Sequence, residues 1–303
     1  MNTMYWFFLI LLLIFLLLLD LFVFQRKSHT INLREALFYS IFWISLGLLF
    51  GIVVYNIYGI NSALEYYGAY LVELSLSVDN LFIFIVIFAF FRVPQEYRHK
   101  VLYLGIIGAF VLRITFILIG IRLVREFEWL LYIFGAILIY SSIKLLSSKD
   151  RKLSIADNPV IKFVNKFIPV IKEYRDGKFL VKENKKIYIT PLFLTLIAVE
   201  TSDLMFALDS IPAVFGITLD PFIAFSSNAF AVLGLRALYF AIANLIELIR
   251  FLNYGLSCVL LFIGLKMIFS HFVTIPIYIT LLVIALIISA TVIVSILFPK
   301  KSD

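Results

Sequence analysis

Apolar residues run along this chain in long blocks, and the polar residues gather in the short gaps between them. A helix needs about 18 to 20 apolar residues, rising 1.5 Å each, to cross a hydrocarbon core of roughly 30 Å. The pattern predicts nine such helices, over about residues 5–24, 36–58, 64–91, 101–123, 127–146, 190–216, 221–249, 254–269 and 274–298. The local signals agree with these limits. Pro94 stops the third block, and Thr190-Pro191 opens the sixth with a capping hydroxyl and a proline at the first helical position. Asn32 and Glu35 stand as cap and box partner before the second block. The first block lacks a basic leader and a small-residue cleavage site, so it reads as a retained anchor, with Asp20 as a boundary residue reaching water.

The one long polar stretch, 147–189, is rich in lysine, with an amphipathic surface helix predicted over 160–174. We therefore expect a single transmembrane domain. It comprises two leading spans (1–60), a three-span block (64–146), a basic loop (147–189), a second three-span block (190–270) and a last span (274–298).

Composition sharpens this picture. With 63% hydrophobic and 15% charged residues, little is left from which to build a soluble domain, so the fold class is all-α and polytopic. The net charge of +7 is no nucleic-acid signal, because the basic residues lie in alternate loops. Of the 26 Lys and Arg residues, 21 fall on the side of the 147–189 loop, and Arg122 and Arg125 fall on the other. The positive-inside rule then sets the N-terminus outside and the C-terminus in the cytoplasm of a bacterial inner membrane. The remaining three, Arg113, Arg236 and Lys266, lie within apolar blocks.

Two acidic stretches interrupt the apolar pattern: Glu73-Leu-Ser-Leu-Ser-Val-Asp79-Asn80, and Glu200-Thr-Ser-Asp203 running on to Asp209-Ser-Ile-Pro212. A carboxylate at such depth costs about 2.5 to 3.5 kcal/mol on insertion scales, so each marks a functional site by default. The two three-span blocks also echo each other. An acid precedes an aspartate by six residues in both (Glu73/Asp79 and Asp203/Asp209), then Leu112-Arg113 matches Leu235-Arg236, and Tyr132 and Lys144 match Tyr254 and Lys266. The blocks enter the membrane from opposite sides, the inverted-repeat arrangement of secondary transporters, whose site lies near the midplane.

Glu73, Asp79, Asn80, Glu200, Asp203 and Asp209 offer an all-oxygen donor set that suits a hard divalent ion such as Mn²⁺, Ca²⁺ or Mg²⁺. Cysteine and histidine are scarce: Cys258 is the one cysteine, and His29, His99 and His271 fall at block ends. Pro212 is expected to unwind the sixth helix locally and turn Asp209 inward. Arg113, Arg236 and Lys266 are expected to position and neutralise the carboxylates. Five acids outnumber these cations, so a cation or protons should complete the balance. The competing reading makes the acids purely structural partners of those cations. The many Phe and Tyr residues read as lipid-facing and interfacial packing.

The acidic stretches, with Arg92-Val-Pro94, Gln95-Glu-Tyr-Arg-His-Lys100 and Ser227-Asn228-Ala-Phe-Ala-Val-Leu-Gly-Leu-Arg236, closely resemble the TerC/Alx family of membrane proteins over about residues 30–298. That family is named for tellurium resistance and placed with the LysE-type transporters. The resemblance implies export of Mn²⁺ from the cytoplasm, with no enzymatic activity and no resident cofactor. A membrane scaffold or assembly factor, acting in metal loading or tellurite resistance, is the alternative.

Overall fold

A computed structural model of the chain describes residues 3–23, 33–147, 170–245 apart from 172, 176, 184 and 185, and 251–298 apart from 271 and 274. Nine helices lie within the described residues. They are α1 (Thr3–Val23), α2 (Leu33–Tyr58), α3 (Ile60–Phe90), α4 (Gln95–Glu126), α5 (Leu130–Ser147), α6 (Pro191–Phe215), α7 (Pro221–Leu245), α8 (Leu252–Ile268) and α9 (Ile277–Leu297). All except α5 and α8 are long and apolar enough to cross a membrane; those two are apolar but shorter. The protein is an all-α, multi-pass membrane protein.

Helix limits follow local chemistry. Thr190 caps α6, its hydroxyl accepting from the Phe193 N–H at 3.4 Å, with Pro191 behind it. Asp220 does the same for α7, its Oδ1 accepting from the N–H groups of Phe222 (2.8 Å) and Ile223 (3.1 Å) ahead of which Pro221 sits. At the end of α3, Arg92 adopts a left-handed conformation (φ 52°) and the Val93 N–H reaches back to the Phe88 carbonyl, so the chain turns sharply into α4. Asn32 and residues 160–169 lie outside the described residues. Val170 and Ile171, within the expected surface helix (160–174), instead lie beside Ile189, Val170 in a bridge with it and the Ile171 N–H donating to its carbonyl at 3.0 Å, so the described part of that stretch is not helical. A short antiparallel hairpin, β1 (Leu180–Glu183) with β2 (Lys186–Ile189), leads into α6.

Helix α7 sits at the centre, buried along almost its whole length, with α2, α3 and α4 packed around it. α4 also lies against α6, and α5 against α8. Between α2 and α3 the close approach depends on small residues. A Cβ at Gly47 would collide with the Tyr70 ring and one at Gly51 with the Tyr67 ring. Each of these tyrosines donates to an α2 carbonyl, Tyr67 to Leu48 (2.9 Å) and Tyr70 to Ile44 (3.3 Å), while Tyr66 donates to Gly47 (2.9 Å). Tyr66 and Tyr70 are therefore buried inter-helix ties, not the interfacial aromatics that composition suggests.

Candidate functional site

Glu73 of α3 and Asp203 of α6, both buried, meet across a single guanidinium. Arg113 of α4 holds Asp203 in a two-pronged grip, Nε to Oδ2 at 3.3 Å and Nη2 to Oδ1 at 3.0 Å. Its Nη1 donates to Glu73 Oε1. Arg113 is itself 1% exposed, so the three charges interact with little solvent between them. Planar, forked donors suit this bridging role, which an ammonium could not fill in the same way.

Glu200 lies one helical turn before Asp203, against the backbone of α4. A Cβ at Gly108 would overlap its carboxylate, and one at Gly105 would stand 3.2 Å from Val199. The α4 glycines thus make the room in which Glu200 sits. Two buried oxygens here, Glu73 Oε2 and Glu200 Oε2, have no hydrogen-bond partner among the described residues, nor have Ser77 Oγ of α3, Ser210 Oγ of α6 and Asn228 Nδ2 of α7. Neighbouring hydroxyls behave differently. Ser75, Thr195, Thr201 and Ser202 each bond the carbonyl four residues back, the usual resort of a hydroxyl in a membrane helix. Ser77 and Ser210 make no such bond.

Asn80 and Asp209 belong to a second group. Asp209 lies six residues past Asp203, about 9 Å along α6, and accepts from Ser141 Oγ of α5 at 2.7 Å. Together with buried Asn80 of α3 these two line a cavity of about 30 Å³, walled by leucines of α3, α5 and α8 and by Phe206. Helix α6 continues unbroken through Pro212 to Phe215, so the expected unwinding is absent; Asp209 meets its partners from a helical backbone. Asp79 occupies a helical position in α3, but its side chain is outside what the structure describes.

The sequence groups six ligands into one shell; of the five whose side chains are described, Glu73, Glu200 and Asp203 lie at or beside the arginine-bridged centre and Asn80 and Asp209 line the cavity. Among the described residues no three His, Cys, Asp or Glu side chains are gathered so as to hold a metal ion.

Two of the three expected counter-charges lie elsewhere. Arg236 pairs with Asp20 of α1, which is buried at 4% exposure and does not reach water. Lys266 donates to the Gly216 carbonyl at the end of α6, at 3.1 Å. Of the three, Arg113 is the one that pairs with Glu73 and Asp203. Asp20 carried a readable signal, an acid inside an apolar block, whereas Ser141 carried none.

Comparison with known proteins fits this architecture. Over 280 residues the chain is 41% identical to an uncharacterized membrane protein of Rickettsia bellii, covering 92% of this chain and 93% of that one. An uncharacterized membrane protein of Myxococcus xanthus is 42% identical over 281 residues, with 93% and 88% covered. The protein of Salmonella typhi described as a putative membrane-bound redox modulator Alx is 39% identical over 279 residues, covering 89% and 87%. No solved structure matches. Residues 58–303 match the family described as integral membrane protein TerC, and the chain belongs to the TerC family.

Proposed function

We propose that the protein is a secondary transporter that exports a hard divalent cation, Mn²⁺ before Ca²⁺, from the bacterial cytoplasm across the inner membrane. The observation that carries this reading is the meeting of Glu73 and Asp203, from two different membrane helices, at a buried centre beside Glu200. If ionised, these three carboxylates exceed the charge of Arg113 by two, and a low-dielectric centre with that excess favours one divalent ion or two protons. Orphaned oxygens on Glu73 and Glu200 supply the hard donors. Binding of the ion requires Arg113 to yield a carboxylate, so guanidinium and substrate compete. Asn80 and Asp209 extend the oxygen-lined route along α3 and α6, and Asp79, next to Asn80 in the sequence, belongs to the proposed ligand set.

Nine crossings and two inverted three-helix repeats (α3–α5 and α6–α8) belong to the same proposal. The contact between α5 and α8 supports it. Ser142 Oγ donates to the Ser257 carbonyl (3.0 Å) and Ser257 Oγ to the Ser142 carbonyl (2.7 Å). Likewise a Cβ at Gly135 would meet the Gly264 carbonyl and one at Gly264 the Gly135 carbonyl. Gly135 and Ser257 stand 122 positions apart, as do Ser142 and Gly264, and as do Tyr132/Tyr254 and Lys144/Lys266. A two-fold axis relating the blocks at that spacing turns one contact into the other. Arg113 and Arg236 are 123 apart. Carried into α3 and α6, a spacing of 122 pairs Glu73 with Thr195 and Asp79 with Thr201, about two turns from the pairing the acid pattern suggests.

Efflux of a divalent ion works against the membrane potential by about 2.3 kcal/mol per charge per 100 mV, so export needs a driving ion, here protons. In sealed vesicles, Mn²⁺ movement driven by an imposed pH gradient, and reversed when the gradient is reversed, is the expected result. Flux indifferent to the gradient would remove proton coupling.

The arginine bridge also favours a second reading, a scaffold in which the acids only tie α3, α4 and α6 together. The redox role in the relatives' name fits less directly, since Cys258 alone offers a thiol in these 303 residues and makes no internal disulfide. Retention of the fold with loss of flux in an acid-neutralised variant separates transporter from scaffold.

A further inference from the structure

The cavity between α3, α5, α6 and α8 differs from the arginine-bridged centre in one respect that matters for a cation. Its described lining has three polar side chains, Asn80, Ser141 and Asp209, and no basic one. At the bridged centre an entering ion meets the positive charge of Arg113; in the cavity the described lining adds no such charge. A volume of about 30 Å³ accommodates a body of water size, since about 10 to 15 Å³ of such space already holds one water. The polar groups come from three separate helices, two belonging to one proposed repeat and one to the other.

Ser141 is the residue with no assigned part. Its hydroxyl proton is committed to Asp209 Oδ1, at 2.7 Å, which orients the oxygen. A hydroxyl that donates its proton still has lone pairs to offer, and a carboxylate that fixes a ligand's orientation strengthens it as a donor. Ser141 is also distinct from its neighbour. Ser142 spends its proton on the Ser257 carbonyl and ties α5 to α8, whereas Ser141 faces the cavity.

We propose that Ser141 is a specificity-determining ligand: its hydroxyl oxygen, with Asn80 and Asp209, forms a second cation station that selects hard divalent ions over soft ones. This rests on the cation-transport reading above. The chemistry that would recognise the ion is three neutral or anionic oxygens without sulfur or imidazole, a set that suits Mn²⁺ or Ca²⁺ and gives Cd²⁺ no soft partner. Replacing the one hydroxyl by a thiol of nearly the same shape should invert that preference.

The test uses the full chain in sealed vesicles with Cys258→Ser as the background, so that the exposed native thiol does not contribute. Ser141→Cys and Ser141→Ala are compared for uptake of radiolabelled Mn²⁺ and for block by Cd²⁺. Cadmium binding by Ser141→Cys is also read directly from the thiolate-to-cadmium ultraviolet absorption of purified protein. The inference expects Ser141→Cys to bind Cd²⁺ and become at least about tenfold more sensitive to it. It expects Ser141→Ala to raise the half-saturating Mn²⁺ about 10- to 100-fold while still transporting. Variants that carry Mn²⁺ with unchanged half-saturation and unchanged Cd²⁺ sensitivity overturn the role of Ser141 and leave transport standing. A background protein that carries no Mn²⁺ overturns the transport reading, and this inference with it. If Ser141→Cys abolishes flux, absence of the thiolate–cadmium band in the folded protein still overturns it.

Discussion

Removing the Arg113 guanidinium is the sharpest perturbation of the buried centre. Arg113→Met keeps most of the volume and deletes all three hydrogen bonds, two to Asp203 and one to Glu73. Two carboxylates are then left buried without their partner. Breaking a buried pair by removing one member costs about 3 to 5 kcal/mol, mostly from the charge left uncompensated. Neutralising the acids as well, in Arg113→Met with Glu73→Gln and Asp203→Asn, removes the stranded charges and should recover most of the loss, since buried ion clusters are often no more stable than neutral replacements. The assay is reversible unfolding of purified protein in graded SDS, followed by loss of helical circular dichroism. Residues in one such network couple by about 0.5 to 3 kcal/mol, so the triple variant should lie well above the sum of its parts. An Arg113→Met protein within about 1 kcal/mol of wild type, or a triple variant whose losses simply add, would refute the bridge as the structural tie of α3, α4 and α6.

Other parts of the fold make their own predictions. Asp20→Asn should destabilise the protein by about 3 to 5 kcal/mol in the same SDS titration by stranding Arg236, and Asp20→Asn with Arg236→Met should recover part of it; an exposed Asp20 would show neither effect. Gly135→Ala and Gly264→Ala should each cost about 1 to 3 kcal/mol, because each new Cβ would press on the facing backbone carbonyl. Ser142→Ala and Ser257→Ala should cost only about 0.6 kcal/mol each, the average for hydrogen bonds between membrane helices, and a loss at either as large as that at the glycines would count against this reading of the serine contact. For orientation, a cysteine introduced at Ser302 in the Cys258→Ser background should react with an impermeant maleimide only when the cytoplasmic face is open; labelling of intact cells would reverse the assigned topology.

Much of the architecture is legible in the sequence because its causes are local. Apolar block length, Pro94 and Thr190-Pro191 fix helices with no knowledge of neighbours. Glu73, Glu200 and Asp203 stand out because acids are rare at such depth. What could not be read depends on which helix faces which. Arg113 and Arg236 occupy matching positions in the proposed repeats, yet one meets Glu73 and Asp203 and the other meets Asp20, from a helix outside those blocks. Ser141 and Ser142 are adjacent and chemically identical, and only the placement of α6 and α8 around α5 gives them different partners. The tyrosines of α3 look interfacial by type, but the glycines of α2 admit their rings and place their hydroxyls on carbonyls. Pro212 is a helix breaker by propensity, yet α6 continues through it, since tertiary packing overrides a local preference.

The central claim is transport, and it is tested most directly by radiolabelled Mn²⁺ flux in sealed vesicles, comparing purified wild type with an Asp79→Asn, Glu200→Gln double variant whose insertion and folding are verified. The account predicts flux by the wild type that the variant lacks. A folded wild-type protein that moves no Mn²⁺ under an imposed pH gradient, in either orientation, would contradict it and leave the buried acids as scaffolding.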